Sequence, residues 1–566
     1  MTLWQTNYEK WHSKAKGEIK QALEALSDSE KKDAFETELS FGTAGLRGII
    51  GLGTNRMNKY IVRQTTRGLA EWISAQGEEE KERGVVISYD NRHFSQDFAF
   101  EAAKVLGKCG IRSYVFEHLT PTPVLAFSVR HWNAVAGIMI TASHNPPAYN
   151  GYKVYGEDGG QFPPDAADRL ASYIDKIDSP FDVEVADKET LIEQGVLKLL
   201  GEETIQAYLK EVEKVTVNRD VLKEASDKIQ FVYSGMHGTG TRLVKRVFEQ
   251  LESPKVAYVT EQCVEDPDFS TVESPNPETE PAFDLSKKLA EEVNADVLFA
   301  TDPDSDRLGV CVRMGKGKYH LLSGNQTASL MLDYLVNHCP LPNNPALIRS
   351  IVSSHLPDKI VKPHGVDVFE VLTGFKFVGN QIKEFEATHS HEMILGYEEA
   401  IGYLIKPFVR DKDGFQALTL MTEVASYHFL QGRNLMEALE LIYKTHGYFS
   451  ENTISVQYPG LEGKEKMAAI MDRVRKTDLD EIAGYPVKRR EDFLTLQSVE
   501  DGVVTPLNYT SSNVLRYLFA DESFIALRPS GTEPKIKLYM SAVGETRAKA
   551  DEKLKAFEHV MLQMIK

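Results

Sequence analysis

Cysteine is scarce in this chain: Cys109, Cys263, Cys311 and Cys339 are the only four, with no C-x-x-C pair and no histidine at zinc-ligand spacing. This excludes a disulfide framework and a thiolate zinc site, and predicts reduced, buried thiols in a cytoplasmic protein. Long apolar runs are also missing, and without about 18 consecutive apolar residues no membrane-spanning helix is expected. Positive charge is in deficit, 65 Lys and Arg against 83 Asp and Glu for a net charge of −18. That balance argues against nucleic acid and anionic membranes as partners, so any anionic ligand must meet a local basic pocket. There is no tandem repeat or low-complexity segment. At the N-terminus Trp4, Tyr8, Trp11, Ala15, Ile19 and Leu26 recur at helical spacing among charges. They predict one amphipathic helix rather than the apolar core of a secretory leader.

With 566 residues the chain is too long for one core and predicts three to five domains. Short apolar strands precede polar or glycine-bearing loops: Val85 to Ser88 before Asp90, Val135 to Ile140 before Thr141, Ile229 to Tyr233 before Gly235, Val297 to Ala300 before Asp302, and Ala346 to Val352 before Ser353. Helix-like sequence follows the strands, the pattern of α/β units with mostly parallel sheets, whose ligands gather at strand C-terminal ends. From about Ser450 the pattern changes to separated strands, Ile454 to Gln457 and Phe524 to Met540, closed by a helix with Leu554, Phe557, Met561 and Met564 on its apolar face. This predicts a C-terminal α+β domain.

Three constellations carry chemistry. The run Asp302-Pro303-Asp304-Ser305-Asp306-Arg307 sets three carboxylates at alternate positions, which an extended chain projects to one side, as an octahedral Mg²⁺ shell requires. Without a cation the three would repel one another and raise their pKa values. An EF-hand needs Gly and Glu where Arg307 and Arg313 stand. A phosphatase of the haloacid dehalogenase type, which needs Thr where Asp306 stands, remains an outside alternative. The second run, Thr141-Ala142-Ser143-His144-Asn145-Pro146-Pro147, offers a hydroxyl on a turn, with His144 beside it as a proton carrier and Lys153 on the following strand as a fixed cation. No Gly-x-Ser-x-Gly elbow surrounds Ser143, so an esterase nucleophile is not expected. The third, Arg528-Pro529-Ser530-Gly531-Thr532-Glu533-Pro534-Lys535, combines an arginine fork, two hydroxyls and a glycine, the composition of a phosphate cradle. It matches neither the P-loop nor the dinucleotide fingerprint.

TASHNPP, DPDSDR and RPSGTEPK in this order resemble the α-D-phosphohexomutase superfamily of phosphoglucomutases and phosphomannomutases. Two further segments agree. Phe41 to Gly48 (FGTAGLRG) resembles the family's N-terminal arginine loop, and Gly396 to Gly402 (GYEEAIG) its sugar-recognition loop. The resemblance implies three similar α/β domains with mixed, mostly parallel sheets and a C-terminal α+β domain around a central cleft. Its divisions would be 1–205 with the phosphoserine loop, 206–321 with the metal loop, 322–446 with the sugar loop and 447–566 with the phosphate-binding loop. It implies a phosphoserine at Ser143 and Mg²⁺ held by Ser143, Asp302, Asp304 and Asp306, in an enzyme interconverting glucose 1-phosphate and glucose 6-phosphate. Glucose 1,6-bisphosphate would be both primer and intermediate. Arg47, His144, Lys153 and Lys412 would serve the transfer, with Lys412 or His144 as base. Arg307, Thr373, Lys376, Glu398, Ala400, Arg528, Ser530, Gly531 and Thr532 would bind substrate. A lysine base would need its pKa depressed by burial or neighbouring cations. The only partner expected is a small sugar phosphate, taken by a monomer or weak dimer. One departure stands out: many hexose mutases read Glu-Glu-Ser where this chain has Glu398-Glu399-Ala400. That form resembles the branch with phosphopentomutases and glucose-1,6-bisphosphate synthases, which keeps ribose and mannose phosphates open as alternative substrates.

Overall fold

The computed structural model describes residues 1–42, 45–252, 254–458, 463–477, 479–530 and 535–566. Four large sheets follow one another along the chain. In the first, the parallel strands Val85–Tyr89, Ser113–Phe116, Ala136–Ile140 and Leu197–Leu200 are flanked by the antiparallel pair Tyr149–Gly156 and Leu46–Ile49. The second has Gln230–Ser234 parallel to both Lys255–Tyr258 and Val297–Thr301, with the antiparallel Leu308–Gly315 and Lys318–Leu321 at its edge. The third centres on Pro345–Ser350, between Asp367–Val371 and Glu392–Glu398, and ends on the short antiparallel Gly402–Leu404. The central parallel strands, Val85–Tyr89, Ala136–Ile140, Val297–Thr301 and Pro345–Ser350, are buried along their whole length and read as largely apolar runs because helices cover both faces.

The fourth sheet is wholly antiparallel. Its order is Tyr448–Gln457, Lys535–Gly544, Phe524–Pro529, Leu515–Leu518, Arg489–Asp492, Gln497–Glu500, Val503–Pro506. The helices Gly463–Lys476 and Arg547–Ile565 pack on it, the latter burying Ala550, Phe557, Met561 and Ile565. Leu554 and Met564, expected on its apolar face, are only partly buried beside them.

One apolar core runs through all three α/β sheets, from Val86 and Met139 through Phe231 and Phe299 to Leu347 and Leu395. The helix Gly414–Leu430 is the shared piece: it is apolar on every side, buried along nearly its whole length, and packs on helices of the second region. Its N-cap is Asp413, whose carboxylate accepts from the amides of Phe415 and Gln416 and from the hydroxyl of Tyr208 at 2.8 Å. Two glycines allow close approach to the aspartate loop: a Cβ on Gly238 would lie 2.3 Å from the Pro303 Cα, and one on Gly414 would lie 2.7 Å from the Ser305 carbonyl.

Two expectations are corrected. The N-terminal segment is two helices, Leu3–Lys14 and Gly17–Ala25, because Ala15 and Lys16 are extended and Gly17 takes φ +55°. The apolar spacing ran through a break that only glycine's left-handed backbone makes easy. The four thiols are free, but only Cys311 is fully buried; Cys109, Cys263 and Cys339 are half-buried. No helix among the described residues is long and apolar enough to cross a membrane.

Candidate active site

The serine and aspartate loops leave the C-terminal ends of Ala136–Ile140 and Val297–Thr301 and meet between the first two sheets. The Ser143 hydroxyl donates to Asp302 Oδ2 at 2.8 Å and lies 3.2 Å from His144 Nδ1. Ser143 sits at φ +51°, a strained region for a residue with a Cβ, and its amide donates to Thr141 Oγ1 at 2.8 Å. One ligand oxygen from each of Asp302, Asp304 and Asp306 falls within a 4.8 Å cluster, and all three residues are buried.

Burial and mutual repulsion push Asp302 well above the usual carboxylate range and raise Asp306 as well. Asp304 goes the other way. Burial alone would raise it, but Lys153 Nζ at 2.9 Å and the hydroxyl of Thr122 at 2.9 Å hold it low. Three carboxylates this close are stable together only if a proton or a cation lies among them. A hard divalent cation fits better than a proton. Asp304 Oδ1 and Asp306 Oδ1 are buried and have no hydrogen-bond partner, and such oxygens are what an octahedral oxygen shell uses.

Positive groups ring the trio. Lys153 also reaches Asp306 at 4.0 Å, and Lys412 Nζ lies 3.1 Å from Asp306 and 3.2 Å from Asp411. The Arg307 amide donates to Asp302 Oδ1 at 3.2 Å, while its guanidinium pairs with Glu278 at 3.0 Å. Arg47 donates to the side chain of Asn145 at 2.9 Å, which brings it to the serine loop.

Electrostatics separates the two expected bases. Burial would lower Lys412, yet Asp306 and Asp411 raise it far above an ordinary lysine. Its two ion pairs favour the charged form, the reverse of what a lysine base needs. His144 is held well below its usual value by burial, then by Arg307 and Arg47, and is therefore neutral and able to accept a proton.

The third region contributes a second cluster. Glu398, at the end of Glu392–Glu398, accepts from the amide of Gly374 at 2.6 Å, just ahead of the helix Phe375–Thr388. The neighbouring Thr373 hydroxyl is buried without a partner. Lys376 on that helix is pushed down to about 8 by burial and then by Arg528, so the third and fourth regions face each other here. Glu399 turns away to the hydroxyls of Ser350 and Ser353, at 2.8 and 3.4 Å. Ala400 is half-buried beside it. In the fourth region, Arg528 lies directly across the strand pair from Lys537, and the Ser530 amide donates to the Lys535 carbonyl at 2.8 Å. Gly531 and Thr532 lie outside the described residues.

The sequence reading missed five residues. Arg92 and Asp90 stand at a strand end that was noticed without being assigned chemistry. Thr122 and Glu278 carry no local signal, because their partners are far away in the chain. Lys537 is separated from the cradle by a strand period of two; its ammonium has Glu278, Glu399, Arg307 and His144 as electrostatic neighbours, and burial lowers its pKa.

Comparison with known proteins agrees with this layout. The chain matches the phosphoglucomutase/phosphomannomutase α/β/α domains I, II and III over residues 38–181, 206–315 and 323–445, and the family's C-terminal domain over 464–558. It is 40% identical over 527 residues to the phosphoglucomutase of Staphylococcus aureus strain USA300, covering 92% of this chain and 93% of that protein. Two solved structures share the fold. The open form of the Paramecium phosphoprotein pp63/parafusin, a phosphoglucomutase, has a TM-score of 0.71 at 20% identity over 93% of this chain and 96% of its own. A phosphoglucomutase/phosphomannomutase family protein from Burkholderia thailandensis has 0.67 at 18% identity over 94% and 97%. The chain belongs to the phosphoglucomutase/phosphomannomutase family of the α-D-phosphohexomutase superfamily.

Proposed function

We propose that this protein is a Mg²⁺-dependent phosphoglucomutase that interconverts glucose 1-phosphate and glucose 6-phosphate through a phosphoserine at 143 and glucose 1,6-bisphosphate. The observation that carries the reading is the 2.8 Å contact of the Ser143 hydroxyl with the buried aspartate trio. Its kinship with curated phosphoglucomutases supports glucose as the sugar.

Asp302, Asp304 and Asp306 would hold the cation, which when bound neutralises charge on the phosphoryl oxygens. The remaining work belongs to the chain. As a sugar hydroxyl attacks the phosphorus, the P–O bond to the sugar forms and the P–Oγ bond to Ser143 breaks. His144, neutral and 3.2 Å from Oγ, takes the hydroxyl proton and passes one to the departing Ser143 oxygen; when the transfer reverses it takes the Ser143 proton and returns it to the sugar oxygen. Lys153 and Lys412 pair as counter-ions with Asp304 and Asp306. Arg47 and Arg307 offer further charge to the transferring group. Arg528, Ser530 and Lys537 grip the idle phosphate, with Lys376 facing them across the cleft, while Glu398 and Thr373 meet the sugar.

The reading divides the chain into 1–205, 206–321, 322–446 and 447–566. It includes a cytoplasmic location, which the free thiols support, and a monomer or weak dimer. A coupled assay on glucose 1-phosphate, ribose 1-phosphate and mannose 1-phosphate, with bisphosphate primer and Mg²⁺, tests it. The highest kcat/KM is expected on glucose 1-phosphate. A preference for ribose 1-phosphate would reassign the substrate, and release of inorganic phosphate without isomerised sugar would refute the mutase.

A further inference from the structure

Between the strands ending at Ile140 and beginning at Tyr149, the serine loop has no sheet partner. Its internal backbone bonds are few: Asn145 to Ala142 and Tyr149 to Pro146. What it has instead is a guanidinium at its centre. Arg92, whose side chain is fully buried, donates through Nη2 to the carbonyls of Ser143 at 2.6 Å and Asn145 at 2.5 Å. Through Nη1 it reaches those of Pro146 at 2.8 Å and Tyr149 at 3.1 Å. Four carbonyls of one loop thus converge on a single planar fork, a match no other side chain's donors can make.

The fork is itself fixed from three sides. Asp90 lies 3.2 Å from Arg92 Nε and is anchored in turn by the hydroxyl of Ser95 at 2.7 Å. The ring of Phe269, from the long segment between Tyr258 and Glu280, lies 4.9 Å from the guanidinium centre. The adjacent Asn91 donates to the carbonyls of His237 at 2.8 Å and Asp266 at 3.0 Å, tying the same corner to the second region. Ser274 of that long segment donates to the carbonyl of His144 at 3.1 Å.

We infer that Arg92 is a positioning residue of the transfer reaction. By holding the Ser143 carbonyl it keeps that residue in its left-handed backbone and its hydroxyl aimed at Asp302, without touching substrate. The inference rests on the mutase reading for its kinetic consequence, though not for its structural one. Displacing a reacting atom by about 1 Å costs about 10²-fold in rate, with no reason for substrate grip to change when the phosphate-binding residues lie elsewhere. The signature is therefore a loss of kcat with KM unmoved.

The test uses the full chain. Arg92→Ala is expected to lower kcat on glucose 1-phosphate about 10²-fold with KM within about twofold, and guanidinium ion added to the assay should restore part of it. Arg92→Lys, which keeps the charge but loses the fork, should retain about tenfold more activity than the alanine variant. Hydrogen exchange read by mass spectrometry should quicken in residues 141–149 of both variants and stay unchanged in 85–89 and 136–140. Should the alanine variant fail to fold, the lysine variant decides alone. A kcat within about twofold of wild type, an equal change in KM and kcat, or unchanged exchange in 141–149 would overturn the inference. If the wild-type protein shows no mutase turnover, it is the proposed function that has failed, and the exchange measurement still judges the clamp.

Discussion

The two halves of the cleft are built differently. The serine and aspartate loops spring from sheets that share one continuous apolar core, and their contacts across the boundary are buried hydrogen bonds such as Thr122 to Asp304 and Ser143 to Asp302. The fourth region has a separate core of its own, from Tyr458 and Met471 to Phe557 and Ile565. It joins the third through a small apolar patch of Ile351, Val352 and Leu372 against Phe493, Val514 and Phe524. Beside the patch runs a buried ion network. Glu370 receives Arg349 at 2.9 Å and both Arg516 nitrogens at 2.9 and 3.0 Å, while Arg516 Nε binds Glu491 at 2.7 Å and Arg349 grips Asp358. The reacting groups therefore sit on regions that share one core, and the phosphate-gripping residues on a region with a further core of its own. Chemistry that tolerates little displacement is placed where packing is continuous, and recognition of a ligand that must reverse end for end is placed on a separately cored unit.

Four changes sharpen that contrast, in falling order of effect. Asp304→Asn removes the partner of Lys153 and Thr122 and one cation ligand; kcat should drop by about 10³-fold, the several kcal/mol a bound divalent ion contributes, and excess Mg²⁺ should recover little of it. Arg516→Met removes the buried cation that Glu370 and Glu491 share and leaves them only Arg349 and Arg489, at a cost of about 3 kcal/mol. Calorimetry should then show the fourth region melting as an earlier, separate transition, with KM for the sugar phosphate rising more than kcat falls. A single transition with unchanged KM would mean the two cores are not energetically distinct.

Lys376 gives a pH signature. Its amine, held at about 8, is charged and can grip phosphate below that pH, and it turns neutral above. KM for glucose 1-phosphate should rise by about tenfold from about pH 7 to 9 as the charge-assisted bond is lost, and Lys376→Arg should flatten the rise. The smallest effect is expected from Ala400→Ser. A hydroxyl added to the sugar loop should shift the ratio of kcat/KM between glucose 1-phosphate and ribose 1-phosphate by less than about tenfold.

Much of this was legible from local pattern. The strands before Ser143 and Asp302 are short apolar runs ended by polar turns, and alternate aspartates after such a strand state their own geometry, so the centre of the site could be read directly. What escaped has a common cause. Thr122 and Asp304 are 182 residues apart, and Arg92 reaches a loop 51 residues on; contacts set by topology leave no periodic trace in the chain. The ion pair of Lys412 with Asp306 was hidden for a related reason, since only folding brings the two together. The broken N-terminal helix escaped because apolar spacing records which face is buried, not whether the backbone continues unbroken.

The central claim, that Ser143 carries the phosphoryl group opposite the aspartate trio, is tested most directly by intact and peptide mass spectrometry after incubation with glucose 1,6-bisphosphate and Mg²⁺. The account predicts one phosphoryl group, on Ser143, that passes to the sugar on addition of glucose 1-phosphate and is replaced from the glucose 1,6-bisphosphate so formed, which an isotopic label on the phosphoryl group reveals. It also predicts that Ser143→Ala accepts none. A phosphoryl group on any other residue, or full turnover by the Ser143→Ala protein, would contradict it.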